Sequence, residues 1–226
     1  MGSDIVAVYA RALAFARAMP LIVALPFLIE LVHQGAMALV SAPHLPLIFS
    51  VLGTIGLVCV VVPALRWWRF EGESAQVWRL RWHVLWGVAV MLAIQLTDEI
   101  LFTTAGHWIA TLTAGPRTLI IFCAQLAWLF VSVLLYGWYV AMITGDPISL
   151  RRIAGAMRPQ WLYGFAVVLG SLIPVLLVTL ILRSAYAIDY IGFVTMAFGS
   201  AVMSAAIITL TASAYFAIYE LARARI

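Results

Sequence analysis

The sequence predicts an all-α integral membrane protein, and three observations predict it. Hydrophobic residues fill 65% of the 226 positions and charged residues only 10%, whereas a water-soluble domain carries about a quarter charged residues. Mean hydropathy is +1.10. Apolar runs recur along the chain, each near the roughly 20 helical residues that cross a hydrocarbon core of about 30 Å. Backbone groups in lipid must bond within helices or a closed barrel. A barrel would read as alternating segments of about ten residues, and these runs are long and continuous.

About six transmembrane helices are expected, over 20–40, 46–65, 84–103, 118–142, 160–182 and 190–218, which makes 1–226 a single transmembrane domain. The first opens at Met19-Pro20, where Pro starts a helix without losing a bond, and encloses Pro26. The second carries Pro63 near its end, and Pro174 interrupts the fifth after Gly170. Such prolines kink a helix, and neighbouring helices compensate in a membrane. Cys59 and Cys123 fall inside the second and fourth spans as small buried fillers. The sixth is crowded with small residues: Gly192, Ala197, Gly199, Ser200, Ala201, Ser204, Ala205 and Ala206. These admit a close neighbour, either another helix of the bundle or a homo-oligomer or membrane partner.

Orientation follows from the basic residues. All thirteen are Arg. Eleven fall in the N-terminal segment, the second–third loop, the fourth–fifth loop and the tail; only Arg117 and Arg183 lie in the other loops. Basic residues favour the cytoplasmic side, so both termini are expected there. Trp67, Trp68, Trp78, Trp82, Trp108 and Trp161 sit near span ends, as interfacial anchors do. The net charge of +4 is therefore a topology signal. A nucleic-acid surface would set basic residues on a water-exposed face among aromatic platforms, and no nucleic acid is expected as a partner.

Three segments share an organisation: an Arg-bearing amphipathic stretch, then a hairpin of two spans. The stretches are Ser3–Met19, Ser74–Trp82 and Ser149–Arg158. Each reads as a cytoplasmic interfacial helix lying apolar side down in the headgroup plane, with its Ser as N-cap. In the first, Ile5, Val8, Ala12 and Phe15 share one face. Gly72-Glu73-Ser74 and Gly145-Asp146-Pro147 mark the internal junctions. Gly ends the preceding helix, and the acid favours the N-terminus of the next. Three helix-hairpin repeats and a plain six-span chain both fit this pattern.

The run GDPISLRRIAGAMRPQWLYGF at 145–165 resembles the cytoplasmic elbow of poorly characterised bacterial six-span membrane proteins. That group includes the membrane domain attached to some glycerophosphodiester phosphodiesterases. The resemblance implies the six-span layout and a place in the bacterial inner membrane. It contains no catalytic residue, so it implies no activity.

Polar residues inside the spans are few. Glu30, His33 and Gln34 lie in the first; Gln95, Asp98 and Glu99 lie in the third with the same i, i+3, i+4 spacing. That spacing puts each trio on one helix face. Glu30 stands about 15 Å beyond Pro20 along the helix, near mid-membrane, where a charged side chain costs about 3 kcal/mol. The six side chains fit a polar cavity open to the outer side. They equally fit an interhelical clasp between spans one and three. Glu30-x-x-His33 is also the carboxylate–histidine spacing of di-iron bundles, which need two such motifs and two further Glu. This chain has one motif, so no metal and no cofactor is expected. No Gly-x-Ser-x-Gly, His-Glu-x-x-His or phosphate-cradling Gly loop occurs.

Three functions follow from these residues. The first is non-enzymatic binding or movement of a small polar or cationic solute, or of a lipid head group. Glu30 is then the ligand or proton carrier, His33 its partner, and Asp98 and Glu99 the outer mouth. The second is a structural or accessory subunit of a membrane complex, with Glu30 as a clasp. The third is an intramembrane lipid-modifying enzyme with Glu30 and His33 as acid and base. Small residues of the sixth span facing outward would favour the second; their burial would favour the first.

Overall fold

The computed structural model describes residues 2–39, 45–108, 114–146, 148–184 and 190–226. Side chains within helices are described except at 45–47, 98–108, 114–118, 121, 122, 125, 179, 180, 182–184, 190 and 191. The chain is all-α, with no strand among the described residues. In order the helices are α1 (Gly2–Ala18), α2 (Pro20–Leu39), α3 (Leu45–Arg69), α4 (Ser74–Val77), α5 (Trp82–Trp108), α6 (Ala114–Thr144), α7 (Leu150–Met157), α8 (Trp161–Ser184) and α9 (Tyr190–Arg223). A 3-10 turn at Arg158–Gln160 leads into α8.

Each expected span falls on a helix. Among the described residues five segments are long and apolar enough to cross a membrane: Pro20–Leu39, Ile48–Arg69, Leu126–Thr144, Leu150–Val178 and Gly192–Arg223. The third expected span is α5, whose described apolar part is Trp82–Thr97. The protein is a multi-pass α-helical membrane protein. Pro26, Pro63 and Pro174 all lie within continuous helices.

Two compact units divide the chain: Met1–Arg79 with Ala166–Ala217, and Leu80–Phe165 with Ile218–Ile226. In the first, α2 and α3 form a hairpin, and Gly56 of α3 faces Ile29 and Pro26 of α2. A Cβ there would stand 2.9 Å from Ile29 Cδ1 and 3.9 Å from Pro26 Cα. Helix α1 is the correction. Its apolar face is not laid flat on the headgroup plane alone; Val8, Ala12 and Phe15 are buried against protein. Ser213 Oγ donates to Val8 O at 2.9 Å, and Tyr9 Oη donates to Ser171 O at 2.8 Å. Trp68 is likewise no simple interfacial anchor: its ring packs against Phe15 and Phe216, and its N–H donates to Arg11 O.

Still in the first unit, α3 ends in Phe70-Glu71-Gly72, where Gly72 has φ +84° and Glu71 +51°. That left-handed geometry releases the helix, as expected of Gly. The following α4 is only four residues long. Arg66, 3% exposed, holds its C-terminal end. The guanidinium donates to Val77 O (2.8 Å), Gln76 O and Arg79 O (2.9 Å), gathering the carbonyls at and just beyond the helix end, where intrahelical partners run out.

In the second unit, α5 and α6 approach so closely at Gly87 that a Cβ there would meet Ile143 Cγ1 at 2.7 Å and Ile143 N at 3.0 Å. Gly145, φ +86°, ends α6 with His83 beside it. Helix α7 buries Ile153 and Met157 and exposes Arg151 and Arg152. Ser149 caps it by accepting from Arg152 N at 3.4 Å. Of the three expected Ser caps this one forms. Ser3 lies inside α1, and Ser74 is the first residue of α4, preceded by Glu73 with no side-chain cap bond. Trp161 donates to Phe130 O and stacks on the Phe130 ring, while Trp78 in the first unit and Trp82 in the second are exposed as anchors are.

Candidate functional site

Helix α2 has twenty residues, a length of about 30 Å, and Glu30 sits at its middle. The helix around it is apolar, so the carboxylate is the feature that packing alone does not require. Its side chain is 25% exposed and that of His33 32% exposed. Gln34 Nε2 donates to Glu30 Oε1 at 2.6 Å. His33 Nδ1 lies 3.6 Å from Glu30 Oε2, outside hydrogen-bonding distance and within ion-pair range when the imidazole is protonated. The ring is held by Phe49 of α3, at 4.6 Å between centroids and 27° between planes. The i, i+3, i+4 spacing thus assembles the first trio as read from the sequence.

The second trio, Gln95, Asp98 and Glu99, lies on α5. Gln95 is exposed on α5, and the side chains of Asp98 and Glu99 lie outside the described residues. Helix α2 belongs to the first unit and α5 to the second. Among the described residues no group of three or more His, Cys, Asp or Glu gathers in one place. Cys59 and Cys123 are exposed rather than buried, because each lies on an outward helix face that lipid covers in a spanning protein.

Other structure was hidden from the sequence. Asp146 accepts from Tyr219 Oη and pairs with Arg223 Nε at 3.3 Å. The Gln160 side-chain oxygen accepts from the Arg225 guanidinium. These partners lie far along the chain, so Asp146 gave no signal beyond its place before a helix. The first unit also has an open hollow of about 560 Å³ between α1, α2, α8 and α9, lined chiefly by alkyl groups, with Tyr9 and Thr209 the hydroxyl residues. Thr209 donates back to Ala205 O at 2.8 Å, and burial raises the Tyr9 phenol above its ordinary value. The hollow is therefore uncharged. Periodicity could have marked it: Tyr9, Ala12, Leu13 and Ala16 on α1 face Pro20, Val23, Ala24 and Phe27 on α2.

The fold and the cluster define a class: a polytopic α-helical membrane protein with, among the described residues, a carboxylate–imidazole–amide group at the middle of an apolar helix. Compared with known protein families, curated proteins and solved structures, the chain matches none.

Proposed function

We propose that the chain binds or moves a small polar or cationic solute at Glu30, with the Arg-rich ends of its spans in the cytoplasm. The observation that carries this is a carboxylate at mid-span that is neither sealed nor in bulk solvent. Gln34 occupies one oxygen and His33 stands 3.6 Å from the other. A cation reaching Oε2 would compete there with His33, and exchange of a cation for a proton at that oxygen is the step proposed. A charged residue inside a span costs about 3 kcal/mol on insertion scales, which makes it the first place to look for function. The small residues of α9 support this reading over docking: Ala197, Ala201 and Ala205 are buried, and none of the eight is exposed.

Glu30→Gln tests it, because the amide keeps the shape and removes the charge. In liposomes loaded with a pH-sensitive dye, inward gradients of Na⁺, K⁺ or tetramethylammonium are expected to drive a proton signal through the native protein. The variant should lose it at least about tenfold, a transition-state loss near 1.4 kcal/mol or more. Equal signals from both proteins would sink the proposal.

A further inference from the structure

We propose that the hollow in the first unit holds one acyl chain of an anionic phospholipid, with the phosphate against Arg17. Its volume of about 560 Å³ would take roughly eighteen waters at about 30 Å³ each. A buried water needs two to four polar partners. The two hydroxyl residues in the lining, Tyr9 and Thr209, already donate to Ser171 O and Ala205 O. With both hydroxyl protons already engaged, the lining offers ordered water few partners and suits hydrocarbon. Leu13 and Val202 of the lining are 51% and 39% exposed, so the hollow is open at its edge. In a spanning helix bundle what lies at that edge is lipid, and the ligand is a chain of the bilayer.

Charge selects the headgroup. Arg17 is exposed, its Cα about 3.8 Å from that of Ala16, and both Ala16 and Pro20 line the hollow. From residue 5 to residue 29 the chain carries Arg11 and Arg17 and no acid. Basic residues at a membrane border attract anionic headgroups, so Arg17 favours a phosphate without a compensating ammonium. The residues involved do not overlap the Glu30 cluster, and the site stands whether or not Glu30 binds a cation.

The test is native mass spectrometry of the full chain in detergent with dipalmitoyl phosphatidylglycerol or phosphatidylcholine. One retained lipid is expected, with about a fivefold preference for phosphatidylglycerol. Ala24→Phe fills the hollow and should abolish retention of both lipids; Arg17→Gln should bring the preference to about one. Because Ala24→Phe can disturb packing, a second measurement uses the native protein and phosphatidylglycerol with a mid-chain diazirine. Crosslinks should concentrate on Leu13, Ala16, Val23 and Phe27 over the lipid-exposed Leu176 and Leu177. Unselective retention of the two headgroups, full retention by Ala24→Phe, or crosslinks that follow exposure alone would each overturn the site.

Discussion

Arg66→Met is expected to destabilise the protein by about 3–5 kcal/mol, read as the shift in its detergent–SDS unfolding midpoint. Methionine keeps the aliphatic stem and removes every donor. Three carbonyls, those of Gln76, Val77 and Arg79, then lose the guanidinium. Val77 O, the buried one of the three, is left without its partner at about 1–3 kcal/mol, and the two part-buried bonds to a charged donor are lost as well. The contact of Arg66 with the Phe70 ring, 5.1 Å from Cζ to centroid, goes as well. Arg66→Lys should fall between native and Met, because one ammonium cannot reproduce a planar fork. An unchanged midpoint for Arg66→Met would show that the guanidinium does not hold α4.

Gly87→Leu should be nearly as damaging, at about 3 kcal/mol, the upper part of the usual overpacking range. The obstacle is backbone: Ile143 N is 3.0 Å from a Cβ placed at Gly87, and Met142 Cβ is 3.2 Å away. Side chains rotate aside, but α5 and α6 would have to separate. Gly155 supplies the contrast, since a Cβ there meets nothing within 4 Å. Gly155→Ala should be neutral or stabilising by up to about 1 kcal/mol, the helix-propensity difference. Equal midpoints for the two variants would remove the close approach of α5 and α6 as a source of stability.

The spans were legible because twenty apolar residues in a row have few soluble uses: 20–40 became Pro20–Leu39 and 160–182 became Trp161–Ser184. The trio on α2 was legible for the same local reason, since i, i+3, i+4 spacing fixes a face. What covers a face was not. The pattern of Val8, Ala12 and Phe15 says that something apolar lies against it; lipid and protein satisfy it equally, and here protein does. Arg66 counts as one more positive charge by sequence, and its burial among carbonyls depends on how Gly72 turns the chain. Asp146, read as an acid ahead of a helix, takes partners 73 and 77 positions later, Tyr219 and Arg223. Span one and span three carry identical spacing, but identical spacing cannot say whether two helices meet.

The central claim is that water reaches Glu30 from within the span, and thiol labelling tests it most directly. In a Cys59→Ser, Cys123→Ser background, Glu30→Cys and Leu28→Cys are placed two residues apart on α2. Leu28 is 52% exposed on the helix surface and would face lipid. A charged, membrane-impermeant thiosulfonate reacts with thiolate, which requires water. Glu30→Cys should be labelled from the side opposite the Arg-rich border and Leu28→Cys should not. Labelling of neither from either side, or equal rates at both, would contradict the account.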